Sequence, residues 1–357
     1  MACSTVNLMK LKLDSFDQMH QDLSYRMHTS NPELKTILSH NEWKGTPLTK
    51  SGRFTNHEHP FDTGIADVLK WQLTANPDKA IKKRDNWRLQ PVAYNDWLTA
   101  NVDCIVWLGH STFFIRLGGA TVLIDPVFGD LSFFIKRFVK FPLDPNKLKN
   151  LDYILLSHDH RDHMDEPSIK ALSKNNPNAR YLTGLGNEGL LKNITNSTLI
   201  QSAGWFQKFE TPNSPLEVFY LPSRHWGRRY LNDTNMRLWG AFVIRSATKT
   251  IYFSGDTGYG SHFKETAALF PDVTHAIIGI GAYKPEWFMG SNHISPKDSI
   301  KGYHELGAKH LIPMHYGTFD LSDEALSDPY QTMLQQQEMG NIKGQLIMPQ
   351  PGEVLEL

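Results

Sequence analysis

An apolar run from Tyr153 to Leu156 passes directly into Ser157-His158-Asp159-His160-Arg161-Asp162-His163. Side chains two apart in an extended segment share a face, so His158 and His160 can grip one ion while Asp162 and His163, one turn further on, reach a second. Three other runs end in the same way: residues 216–221 lead to His225, residues 250–253 to Asp256 and residues 310–313 to His315. Ligands of open α/β sheets bind outside the carboxyl ends of strands, so imidazoles and carboxylates gathered there are what a metal site needs. The candidates His158, His160, Asp162, His163, His225, Asp256 and His315 offer only nitrogen and oxygen, which suits zinc, iron or manganese. A lone strand-end His or Asp is often only a turn residue. Their recurrence after four separate runs argues for a centre that holds two ions.

Such residues need strands that stop at one edge. Short β-rich runs occur at residues 104–108, 112–117, 121–124, 153–156, 216–221, 238–245, 250–253, 275–278 and 310–313, punctuated by Gly, Asn and Asp-Pro. Helical patterns at 166–173, 186–192, 260–270 and 296–306 lie between them. Strands with interleaved helices imply an α/β layered fold. Residues 1–100 are more polar, with Trp43, Trp71, Trp87 and Trp97 scattered among Asn, Lys, Asp and Pro. They read as an N-terminal extension with short helices, the clearest at 65–74, packed on a hydrolase domain over residues 101–357.

The whole composition narrows the function classes. With 357 residues at 40% hydrophobic and 21% charged, the chain can bury a sizeable core, which excludes intrinsic disorder. Its 37 basic residues balance 37 acidic ones, so no net field draws it to nucleic acid, and no nucleic-acid partner is expected. Two cysteines are too few for a disulfide framework. No run reaches the roughly 18 apolar residues of a membrane span, and the first residues lack a signal core. A cytoplasmic protein is expected, with peripheral membrane contact as its closest approach to a bilayer.

His158-Asp-His-Arg-Asp-His163, followed by single His, Asp and His positions at long intervals, resembles the metallo-β-lactamase superfamily. Trp107-Leu-Gly-His-Ser-Thr-Phe113, Ile124-Asp-Pro-Val127, His225-Trp226, Phe253-Ser-Gly-Asp-Thr-Gly-Tyr-Gly260 and Met314-His-Tyr-Gly-Thr-Phe-Asp320 narrow this. They are similar to the N-acyl-phosphatidylethanolamine-hydrolysing phospholipase D branch and its bacterial relatives, over about residues 50 to 330. The resemblance implies an αββα sandwich with two zinc ions at its edge. One zinc would take His158, His160 and His225, the other Asp162, His163 and His315, with Asp256 bridging. It also implies that Asp125 braces the metal-binding loop, with His110 beside it, and that His293 faces the substrate next to the catalytic Asp162 and Asp256. The extension matches only around Gly52-Arg-Phe-Thr-Asn56.

Arg224, Arg228 and Arg229 flank His225, and a guanidinium near a dinuclear centre suits a phosphate because its planar fork binds two oxygens. Tyr283 and Tyr316, each beside a strand end, are candidate walls of the site. His304 and His310 are read as structural. Residues 131–142 combine Phe133, Phe134, Phe138 and Phe141 with Lys136, Arg137 and Lys140. That segment either seats the protein on a bilayer or packs under the extension. Two cations about 3.5–4 Å apart lower the pKa of a shared water towards 7, so no protein nucleophile is required. Consistently, neither a Gly-x-Ser-x-Gly elbow nor a phosphate-binding Gly-x-x-x-x-Gly-Lys loop occurs. The expected activity is hydrolysis of a lipid phosphodiester. A lactonase of the ascorbate-6-phosphate lactonase type shares the Gly-His-Ser-Thr and His/Asp motifs, a nuclease would need a basic track, and a non-catalytic binder would be expected to lack a ligand.

Overall fold

The structure is a computed structural model that describes residues 27–60, 64–94 and 96–357. Three short strands, β1 (Met27–Thr29), β2 (Lys35–Thr36) and β3 (Thr46–Leu48), precede the core. β4 (Cys104–Trp107), β5 (Phe113–Leu117), β6 (Ala120–Ile124), β7 (Tyr153–Leu156), β8 (Arg180–Gly184) and β9 (Ile200–Ala203) form a sheet with β17 (Val354–Glu356), in the order β17-β4-β5-β6-β7-β8-β9. The facing sheet contains β10 (Gln207–Lys208), β11 (Glu217–Leu221), β12 (Ala241–Arg245), β13 (Thr250–Phe253), β14 (His275–Gly279), β15 (His310–Met314) and β16 (Gln345–Leu346). Its order is β16-β15-β14-β13-β12-β11-β10-β2, so the extension supplies its last strand.

Side-chain alternation explains the layering. Phe113 and Ile115 of β5, Val122 and Ile124 of β6, and Tyr153 and Leu155 of β7 enter the core between the sheets. The intervening Phe114, Leu123, Ile154 and Leu156 enter a second core on the outer face. A sheet apolar on both faces must be covered twice. Helices Glu166–Asn175 and Glu188–Thr195 do so, lowering Ile169, Leu172, Leu191 and Ile194 onto that outer face. Helices His262–Leu269 and Pro296–Leu306 cover the other sheet through Phe263, Ile300 and Tyr303. The result is the αββα sandwich.

Local chemistry sets where helices begin and end. Ser295 accepts from the Asp298 amide at 3.2 Å, Pro296 occupies the first helical position, and Gly307 closes the helix at φ 70°. Asp165 caps the helix at Glu166 by accepting from Ser168 N at 3.0 Å. The run expected at 238–245 starts as a strand only at Ala241, because Leu238 and Gly240 bond Leu185 O and Ser157 O instead. The helix expected at 186–192 runs from Glu188 to Thr195 and ends at left-handed Asn196. β8 and β9 carry too many polar residues to read as strands alone; parallel pairing to β7 and to each other creates them.

The extension is woven into the sandwich. Gln207, buried in β10, accepts from the amides of Asn31 and Gly204 and donates to the carbonyls of Asn31 and Leu34. Replacing Gln207 with Leu strands several of these groups together, a loss of about 2 kcal/mol. Chemical denaturation of Gln207→Leu is therefore expected to show a lowered midpoint with unchanged metal content; wild-type stability would mean that the extension is only appended.

Candidate metal centre

β7 delivers His158, His160, Asp162 and His163 just past its carboxyl end. β11, β13 and β15 of the facing sheet end at the same edge and bring His225, Asp256 and His315 to meet them. The donors form two sets. His160 Nδ1 lies 2.9 Å from His158 Nε2 and 3.2 Å from His225 Nε2, and Asp256 Oδ2 stands 4.0 and 3.8 Å from the latter two nitrogens. In the other set Asp162 Oδ2 is 3.6 Å from both His163 Nε2 and His315 Nε2, and each of these is 3.2 Å from the same Asp256 Oδ2.

Four ligands placed tetrahedrally about 2.0–2.1 Å from an ion stand about 3.3 Å apart. Both sets have that span, and Asp256 Oδ2 belongs to each. Proton sharing alone does not satisfy them, since the buried Nε2 atoms of His163 and His315 face Asp256 without a hydrogen bond of normal geometry. The residues present fit divalent metal ions.

Groups behind the donors fix their orientation. Asp125, wholly buried, accepts from Ser157 N at 2.8 Å, from Ser157 Oγ at 2.5 Å and from His163 Nδ1 at 2.7 Å. Ser157 Oγ lies 2.9 Å from His158 Nδ1, and the Asn292 carbonyl lies 2.9 Å from His225 Nδ1. With these partners holding protons on Nδ1, the Nε2 atoms of His158, His163 and His225 are the free electron pairs. His110 Nε2 contacts Asp162 Oδ2 at 3.0 Å. Asn56 of the extension donates to the His225 carbonyl at 3.0 Å, and its own carbonyl accepts from Trp239 Nε1 at 3.0 Å. His110, Asp125 and His315 have φ of 52°, 41° and 63°, so strained backbone is concentrated at the floor. Gly255, at φ 56°, sets the turn into Asp256; a Cβ there would lie 2.7 Å from Gly240 O.

Burial pushes His158 and His225 well below the usual histidine range, and the imidazoles around His158 push it further. Burial likewise takes His110 down to about 3 and His160 to about 4. It also opposes charge on His163 and His315, but Asp256 and Asp162 outweigh it, holding His163 well above that range and His315 at about 9. The carboxyls of Asp162 and Asp256 resist burial in turn and stay well below the ordinary value, chiefly through His163. Without metal, protons on His163 and His315 thus balance the two buried carboxylates. Divalent ions would displace them.

A cavity of about 640 Å³ opens above this floor. His160, Asp162, Asp256 and His293 reach its base; Val68, Trp71, Phe288 and Met289 line it with apolar surface, and Arg161 and Arg228 with positive charge. Trp71 stacks on Phe288 at 5.1 Å, and Arg228 lies over Trp226 at 5.2 Å. His293 Nδ1 is 3.6 Å from Asp256 Oδ2, and burial lowers its pKa to about 4. A second depression of about 610 Å³ around Thr49, Arg53 and Asn232 contains none of the metal donors.

His293 lines the cavity as expected, but of Arg224, Arg228, Arg229 and Tyr283 only Arg228 does. Arg229, its neighbour in an irregular loop, turns inward and donates to Met164 O at 2.7 Å. Arg224 donates to Tyr259 O at 2.9 Å, and the Tyr283 hydroxyl donates to the Asp328 carboxylate. These three brace loops. Tyr316 is buried against Trp107, ring centroids 5.0 Å apart. Residues 131–142 form no helix. Arg137 is drawn in, donating to the carbonyls of Leu108, Val127 and Val139, while Phe133 and Phe134 stand 81% and 89% exposed. Sequence reasoning passed over Arg161, although it sits inside the metal motif, and also Asn56 and the Trp71–Phe288 wall.

The family model described as "Beta-lactamase superfamily domain" matches residues 120–316. The chain is 32% identical over 227 residues to N-acyl-phosphatidylethanolamine-hydrolyzing phospholipase D 1 of Caenorhabditis elegans, covering 60% of this chain and 64% of that protein. It is 30% identical over 265 residues to the mitochondrial N-acyl-phosphatidylethanolamine-hydrolyzing phospholipase D of Saccharomyces cerevisiae, covering 69% of this chain and 54% of that one. The matched region thus spans less than two thirds of either relative. A possible metal-dependent hydrolase from Veillonella parvula superposes with a TM-score of 0.59 at 17% identity, covering 72% of this chain and all of that one, a likeness of fold.

Removing the Asp125 carboxylate leaves Ser157 N, Ser157 Oγ and His163 Nδ1 without their acceptor. Asp125→Ala is therefore expected to weaken metal retention by roughly 10- to 100-fold. Chelator competition monitored by elemental analysis measures this, and wild-type retention would contradict the bracing role.

Proposed function

The chain belongs to the metallo-β-lactamase superfamily of metal-dependent hydrolases, and from that premise we propose that it is a dinuclear phosphodiesterase of the phospholipase D type. Its substrates on this reading are N-acylphosphatidylethanolamine-like lipids. The observation that carries the proposal is the sharing of Asp256 Oδ2 by two donor sets, directly beneath a cavity with an apolar wall and a cationic one. His158, His160 and His225 would hold one ion and Asp162, His163 and His315 the other. Zinc suits these donors, with iron or manganese as substitutes.

When bound, the ions supply Lewis acidity and a water activated near neutral pH. The chain's own residues supply position. Asp256 holds the two donor sets in one frame, and Asp125 and Asn292 keep the imidazoles aimed. Trp71 and Phe288 pack an acyl chain and exclude water from that side. Arg228, steadied on Trp226, meets the phosphoryl charge. His293 faces the cavity as a neutral imidazole and donates one hydrogen bond to a phosphoryl oxygen. The exposed Phe133 and Phe134 seat the protein on lipid. Among the described residues no helix is long and apolar enough to cross a membrane.

A product assay with zinc-loaded protein tests the reading on three compounds: N-oleoylphosphatidylethanolamine, bis(p-nitrophenyl) phosphate and a γ-lactone. Release of phosphatidic acid and N-oleoylethanolamine is expected, with the lipid preferred over the small diester and the lactone inert. Asp256→Asn should lose more activity than His225→Ala, because one change touches both donor sets and the other touches one. Faster turnover of the lactone than of either diester would instead make the protein a lactonase.

A further inference from the structure

The cationic wall carries more charge than a phosphodiester uses. Arg161 lies between the donors His160 and Asp162 in sequence, Arg228 three residues past His225, and both are exposed and line the cavity. The nearby carboxylates are engaged elsewhere. Asp159 faces Arg237 Nε at 3.6 Å, Asp233 pairs with the Arg237 guanidinium, and Glu166 lies 3.8 Å from Arg229 Nη2. The pKa of Arg229 is lowered by burial and lowered further by the charge of Arg161, while Asp159 and Glu166 oppose the shift, so these two carboxylates act on Arg229.

A count of formal charge on the floor sharpens the point. Two divalent ions would bring four positive charges; Asp125, Asp162 and Asp256 bring three negative ones, the activated water counted as hydroxide a fourth and a phosphodiester a fifth, so one of the two arginines balances the site and the other is in surplus. Arg228, held on the Trp226 ring, answers the charge that grows on the phosphoryl oxygens during reaction. Arg161 has no such partner among the described residues and no stacking surface. One surplus positive charge matches a carboxylate better than a phosphate monoester, which brings nearly two negative charges. A guanidinium also offers the planar fork that a carboxylate accepts in two parallel hydrogen bonds.

We propose that the preferred substrate is a lipid phosphodiester whose headgroup carries a carboxylate, and that Arg161 binds that carboxylate. The proposal rests on the phosphodiesterase reading and deepens it. The apolar lining takes the acyl chain, the floor takes the diester, and Arg161 takes the second anion.

The test compares N-oleoylphosphatidylserine with N-oleoylphosphatidylethanolamine, which differ by one carboxylate, each at low mole fraction in neutral detergent micelles so that the substrate's own charge adds little to the surface. Wild-type protein should show kcat/KM about tenfold higher for the serine lipid, the size of a partly solvated charge-assisted contact. Arg161→Ala should bring the ratio close to one, and Arg161→Lys should restore it only in part. Arg228→Ala should lower both values together and leave their ratio. Calorimetry of N-oleoylserine against N-oleoylethanolamine gives a reading independent of turnover: the serine compound should bind more tightly, by a margin that Arg161→Ala removes. Equal turnover of the two lipids together with equal binding of the two amides overturns the proposal. So does a gain on adding phosphatidylglycerol to the micelles that is the same for both lipids and is lost in Arg161→Ala, because Arg161 would then serve surface attraction. If neither lipid is cleaved while N-oleoylserine still binds through Arg161, the phosphodiesterase reading fails and the carboxylate site stands.

Discussion

One carboxylate oxygen organises this molecule. Asp256 Oδ2 has imidazole nitrogens of His158, His163, His225, His293 and His315 within 4.0 Å, deep in a site where an unbalanced charge is costly. A buried anion surrounded by nitrogen lone pairs is stable only if cations stand between them. Protons on His163 and His315 meet that need partly, and divalent ions meet it fully. The position of every strand that carries a donor follows from it, because four segments from two sheets must end within a few ångströms of one atom.

Convergence of this kind requires rigid support, and the support is polar as well as apolar. Asp125 ties Ser157 and His163 together, and Ser157 passes the restraint to His158. Asn56 reaches from the extension to the backbone of His225, and Asn292 holds that ring from its other side. Left-handed backbone at His110, Asp125, Gly255 and His315 is the cost of bringing these groups so close, and the buried central strands of the two sheets over-determine it.

The donors were legible in the sequence because metal binding restricts residue type and the strands before the donors are continuous apolar runs. The β-rich runs at 112–117, 121–124 and 153–156 likewise placed β5, β6 and β7, whereas the second core on the outer face emerged only from the structure. β8 and β9 were not legible, because their strand character comes from parallel partners far away in sequence. The arginines show a finer limit. Arg224, Arg228 and Arg229 are chemically alike, and only loop direction sends Arg228 into the cavity and Arg229 to the Met164 carbonyl. Trp71 and Phe288 meet over more than two hundred residues of chain, a contact that no local pattern encodes.

Whether Asp256 links two ions can be measured directly. X-ray absorption spectroscopy of the zinc-loaded protein, combined with elemental analysis, should show two zincs per chain in nitrogen and oxygen shells and a zinc–zinc vector of about 3.5–4 Å, lost in Asp256→Ala. A single zinc per chain, or two with no zinc–zinc scattering in the wild type, would contradict the shared carboxylate on which this account is built.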